Sequence, residues 1–134
     1  MAHLPESTTE RDPNPMTRTR ASARAAGARF ERQVADYLNE HYDDRIDRRV
    51  KTGARDCGDI GGLRTRDGRR LVIELKNTAR TDLAGWATEL AQEIENDGAL
   101  TGAVIHKRHG VSDPAQQWVS MTLEQLLWLL KGER

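Results

Sequence analysis

The sequence predicts one α/β domain, with a central mixed sheet flanked by helices in the order α-β-β-β-α-β and an extra C-terminal strand and helix. Three observations carry this. Residues 82–97 set Leu83, Trp86, Ala87, Leu90, Ala91 and Ile94 at helical spacing. Asp67-Gly68, a pair that favours the positive φ angles of a tight turn, separates two strand-like runs, 59–66 and 69–76. Residues 100–106 then form a short apolar run of strand length.

Residues 1–20 carry three prolines and several Ser and Thr without apolar periodicity, so they are expected to be a disordered tail preceding a domain at 21–132. The first helix is predicted over 22–42, with Phe30, Val34, Leu38 and His41 along one face. Ile46 and Val50 mark a strand within 45–51, and 53–58 reads as a loop. The second helix has Thr81 or Asp82 as its cap and Gly98 as its stop. Residues 117–121 form a further strand, and a helix over 122–131 ends at Gly132. The leucines of that helix, Leu123, Leu126, Leu127 and Leu130, with Trp128, serve either to cap the sheet or to meet a second copy.

A chain of 134 residues suits one hydrophobic core, so a single site is expected. Nothing approaches the roughly 20 apolar residues of a membrane span, and the N-terminus lacks a signal-peptide layout, which points to the cytoplasm. One cysteine, Cys57, allows no internal disulfide and is expected to be a small semi-buried residue. The formal net charge of zero hides clusters of cations at 45–55, 64–70 and 107–108. His106 and His109 lack the spacing of a zinc site.

With Asp67-Gly68 as the whole loop, Arg66 opposes Arg69, Gly61 opposes Glu74 and Asp59 opposes Lys76. Side chains alternate across a strand, so Glu74 and Lys76 share one face while Leu71, Ile73 and Leu75 form the expected core face. Asp59 and Glu74 become diagonal neighbours about 7–8 Å apart, with a gap at Gly61. Two carboxylates so placed suit Mg2+ or Mn2+. A cation there activates water and offsets charge on a phosphodiester, and Lys76 positions the water or stabilises the transition state. The plainer alternative is an Asp59–Lys76 ion pair with Glu74 balancing nearby arginines, contributing about 0–1 kcal/mol.

Gly58-Asp59-Ile60 followed, after a hairpin, by Val72-Ile73-Glu74-Leu75-Lys76 resembles the PD-(D/E)XK signature of the restriction-endonuclease-like superfamily, although Cys57-Gly58 stand where the proline would be. The superfamily core is α-β-β-β-α-β, so the resemblance covers residues 24–107. Gly27-Ala28-Arg29-Phe30-Glu31-Arg32 resembles the start of archaeal-type Holliday junction resolvases, which implies that Glu31 joins Asp59 and Glu74 at the metal. The stretch from Val72 through Trp86 to His106-Lys107-Arg108, with Asp113-Pro114 and Trp118-Val119, is similar to resolvase-like nucleases of actinobacterial phages.

The resemblance implies a Mg2+-dependent endonuclease acting on branched DNA, working as a homodimer because paired nicks need two sites. Lys51, Arg55, Lys107 and Arg108 flank the expected site and are candidates for phosphate contacts, as are Arg29 and Arg32. Glu89 and Gln92 occupy the second helix, where some superfamily members keep a Glu or Gln near the site; both also suit a solvated face. A flap, repair or restriction nuclease of the same fold, and a DNA-binding protein without turnover, are the alternatives.

Overall fold

The structure, a computed structural model, describes residues 19–50 and 56–134. The expected tail up to residue 18, and the candidates Lys51 and Arg55, lie outside the described residues. Helix α1, Arg20–His41, starts two residues earlier than predicted because the Thr19 hydroxyl caps it, accepting from the Ser22 N–H at 3.1 Å. Its buried stripe is Ala26, Phe30, Val34 and Ala35, with Leu38 partly buried. His41, predicted on this face, is exposed where the chain leaves the helix, its ring 4.4 Å from that of Tyr37.

Two short strands, β1 (Asp47–Arg48) and β2 (Ile60–Gly61), pair antiparallel. Strand β3 (Leu71–Lys76) leads through helix α2 (Leu83–Asp97) to β4 (Thr101–His106), which runs parallel to β3. A 3-10 turn at Pro114–Gln116 precedes β5 (Trp118–Ser120), antiparallel to β4, and helix α3 (Leu123–Lys131) ends the fold. The sheet order β3-β4-β5 makes this an α/β fold with a mixed sheet. Of the two caps the sequence left open, Asp82 serves, accepting from the Gly85 N–H at 3.0 Å; Gly98 closes α2 as predicted, and Thr122, predicted as the first residue of the last helix, is its cap and forms a reciprocal box with Gln125.

Alternation along β3 divides the core. Ile73 and Leu75 pack with Phe30, Val34 and Ala35 of α1, together with Ile46, Ile60, Leu63 and Ala103. Val72 and Val104 face the other way, against Trp86, Leu90 and Ile94 of α2. Helices thus cover both faces, which leaves Glu74 and Lys76 pointing at α2 rather than at solvent. Among the described residues, no helix is long and apolar enough to cross a membrane.

The hairpin departs from expectation. Thr65 N–H donates to the Arg69 carbonyl at 2.8 Å and Gly68 N–H to the Thr65 carbonyl at 3.0 Å, so the loop holds three residues, with Gly68 at φ 91°. Arg64 therefore opposes Arg70, a one-residue slip from the predicted register. The predicted strand over 59–66 also breaks at Gly61-Gly62: Gly61 pairs with Asp47 rather than Glu74, and Asp59 N–H donates to the Ile73 carbonyl at 2.8 Å. Asp59 lies beside Ile73 and Leu75, not opposite Lys76. The extra residues at this break add to the slip in the same direction and carry Asp59 from the level of Lys76 to that of Glu74.

Leu90 is fully buried in the cluster between α2 and the sheet. Leu90→Ala is expected to lower stability by about 2–5 kcal/mol, read as a lower urea midpoint with an unchanged m-value.

Candidate metal centre

Trp86, Leu90 and Ile94 anchor α2 on the sheet, and Glu93 falls within the same buried stripe, three residues after Leu90. Its carboxyl consequently meets Glu74 of β3; the two residues are 3% and 5% exposed. The loop before β2 adds two more acids. Gly58 makes their approach possible: its φ of 95° is poorly accessible to other residues, and a Cβ there would stand 2.8 Å from Val72 Cγ1 and 2.9 Å from the Ile73 carbonyl oxygen. On one side of this turn Asp56 accepts from the Gly58 N–H at 2.9 Å, while its carbonyl accepts from Asn96 of α2 at 2.9 Å. On the other side the buried Asp59 carboxylate accepts from the Leu75 N–H at 2.8 Å.

Asp56, Glu74 and Glu93 each present a ligand oxygen within 4.8 Å of the other two. Asp59 lies against the same group and interacts with both glutamates. Burial raises the Glu74 pKa far above the ordinary carboxylate range, and the adjoining Asp59 and Glu93 carboxyls raise it further. Burial also raises Glu93, with Asp56 and Asp59 adding to the shift. Among the described residues, Glu74 Oε1 and Glu93 Oε1 are the buried side-chain polar atoms left without a hydrogen-bond partner. Unpartnered carboxylate oxygens in such a pocket are costly unless a proton or cation neutralises them, and hard oxygen donors of this kind fit a divalent cation.

The predicted site residues fall into three groups. Asp59 and Glu74 come together, by a route different from the simple hairpin. Lys76 shares their strand face but not their cluster: its ammonium donates to both Glu89 carboxylate oxygens, at 3.0 and 3.1 Å. Glu31 is not among the grouped oxygens; its carboxylate lies 3.4 Å from Arg48 in the groove between α1 and β1. Asp56 and Glu93 were not singled out from the sequence as site residues. Glu93 left a signal, since an acid within the apolar stripe of α2 is out of place on a solvated face; Asp56 left none beyond its neighbourhood to Asp59.

Of the predicted phosphate contacts, Arg29 is exposed on α1 and lines a depression with Asn77, Lys107 and His109 beyond the ends of β3 and β4. Arg32 is engaged by Asp36 and Asp47. Lys107 donates to the carbonyls of Arg108 and Val111, and Arg108 lies over the Trp118 ring. Buried His106 bonds Ser120 at 2.8 Å and packs on Trp86, and burial lowers its pKa. Cys57 is free and half-buried, as its isolation in the sequence implied. The chain matches no family model, and neither the curated proteins nor the solved structures hold a match to it.

An acid whose pKa is raised on folding favours the native state at low pH and ceases to do so as pH climbs toward the native value. Without a divalent cation, stability is therefore expected to fall as pH rises above 4.5, the ordinary glutamate value. Glu93→Gln is expected to flatten that fall, gaining on the order of 1–3 kcal/mol at neutral pH by urea denaturation in EDTA. The same substitution is expected to shrink the rise in Tm that Mn2+ gives the wild type.

Proposed function

We propose that the chain is a divalent-cation-dependent endonuclease that hydrolyses phosphodiester bonds in branched DNA, as a Holliday junction resolvase does. The observation that carries this reading is the buried acid cluster with two unpartnered oxygens, set on the same strand face as Lys76. Asp59 and Glu74 are two of the three ligands expected from the sequence, and Asp56 and Glu93, rather than Glu31, are the acids grouped with Glu74 that would complete the oxygen donor set. A bound Mg2+ or Mn2+ would supply Lewis-acid polarisation and offset the negative charge that develops on the phosphate.

The protein's own groups divide the remaining work. Both Glu89 carboxylate oxygens accept from the Lys76 ammonium, which holds the amine over the α2 face and leaves donor capacity for a phosphate oxygen or the attacking water. Lys76 stands two residues beyond Glu74 along the strand, about 7 Å, a span suited to one phosphodiester group between cation and amine. Arg29 and the cations near the ends of β3 and β4 would meet flanking phosphates, making binding fall as salt rises. Two symmetric nicks need two copies, and the exposed Leu123, Leu126, Leu127 and Leu130 of α3 offer an apolar surface for a homodimer.

Cleavage of a four-way junction, compared with flap and linear duplex substrates in Mg2+, tests the reading. Asp59→Asn, Glu74→Gln and Lys76→Met are each expected to lower the cleavage rate at least about a hundred-fold while leaving the fold intact. A Glu74→Gln protein cutting at the wild-type rate overturns the assignment. Glu89→Gln is expected to lower kcat more than it raises KM, and to add nothing to Lys76→Met in a double-mutant cycle.

A further inference from the structure

The sheet row that carries Lys76 continues across two more strands. Lys76 opposes His106 on β4, and His106 opposes Trp118 on β5. Residues in register share a face of the sheet. The contacts identify it as the α2 face, because Lys76 meets Glu89 and the His106 ring lies 5.2 Å from that of Trp86. Two interstrand spacings place Trp118 about 10 Å from Lys76, the length of about three stacked nucleotide steps.

His106 is buried within this row, but Trp118 is 49% exposed. The Arg108 guanidinium carbon stands 4.7 Å from the centroid of its ring. Arg29, Lys107 and His109 line a separate depression beside α1, beyond the ends of β3 and β4. The nearest acid along the chain, Asp113, is turned to its own backbone, accepting from the Ala115 N–H at 2.9 Å. The surface therefore offers an exposed aromatic ring with one guanidinium against it. Such a surface complements a nucleotide with a free base, whose ring stacks on the indole while a phosphate meets the Arg108 guanidinium. An intact duplex keeps its base faces stacked inside and offers no such ring along its length.

We propose that Trp118, with Arg108 against it, is a stacking platform for an unpaired nucleobase within three nucleotides of the phosphodiester presented to Lys76. The distance to the scissile bond rests on the nuclease reading; the binding of an unpaired base does not. The platform favours branch points, flaps and gaps over continuous duplex.

Binding in EDTA, where cleavage is suppressed, tests the platform with two probes: a short oligothymidylate and a blunt duplex. Oligothymidylate is expected to quench tryptophan fluorescence in the wild type. Trp118→Ala should weaken oligothymidylate binding by about five- to a hundred-fold and remove most of the quench. Trp118→Phe should recover most of the affinity, and duplex affinity should stay within about two-fold in both variants. Matching thermal melts show that the variants are folded.

Equal losses on both probes, or no loss on either, overturn the proposal. A shift in sedimentation of the DNA-free Trp118→Ala protein with unchanged DNA binding also overturns it, assigning this face to a protein contact. A junction-cleavage arm in Mg2+ separates the two readings. Wild-type protein that binds through Trp118 but cuts nothing removes the nuclease reading and keeps the platform. Wild-type protein that cuts junctions, with a Trp118→Ala variant that binds oligothymidylate equally well, does the reverse.

Discussion

The burial of acids between β3 and α2 is the constraint on which the site depends. Glu74 and Glu93 face each other because Trp86, Leu90 and Ile94 press α2 onto Val72 and Val104, and that apolar packing removes the water that would otherwise solvate their oxygens. Asp56 and Asp59 approach from the loop at Gly58, so the pocket gathers like charges that repel unless something neutralises them. A proton relieves the pocket only in part, since it leaves unpartnered oxygens on both glutamates. A cation with several vacant coordination positions meets all of these demands together.

The same helix orders the surroundings of the cluster. Glu89 and Glu93 are one turn apart, so the contact that buries the acids also brings a carboxylate to Lys76. The sheet then carries that level outward through His106 to an exposed indole on its edge strand. Acids, amine and aromatic ring thus share one face, arranged by parallel pairing of β3 with β4 and by a single packed helix.

Departures from the sequence reading have a common origin in backbone pairing. A tight turn at Asp67-Gly68 was legible, but whether the loop holds two or three residues depends on hydrogen bonds at Thr65 that spacing does not encode. The break at Gly61-Gly62 follows from competition: β2 finds a partner in β1, so the continuous hairpin is given up and Asp59 is carried to the level of Glu74. A one-residue slip alone would have moved every side chain to the opposite face, and the further step in the same direction at the break restores the face for the acid that matters. Glu31, by contrast, was assigned by resemblance, and in the structure its carboxylate meets Arg48 beside β1.

The sequence by itself determined the element order, the helix stops at Gly98 and Gly132, the start of the second helix to within Thr81 or Asp82, and the sharing of one strand face by Glu74 and Lys76. These follow from local chemistry: caps, positive-φ glycines and the two-residue period of a strand act over a few neighbours. Only the tertiary structure decided that Asp56 and Glu93 join Asp59 and Glu74, that Lys76 is held by Glu89, and that Trp118 falls in the row of Lys76. Those placements depend on which strand pairs with which and how α2 rotates onto the sheet, both set by packing between segments far apart in the chain.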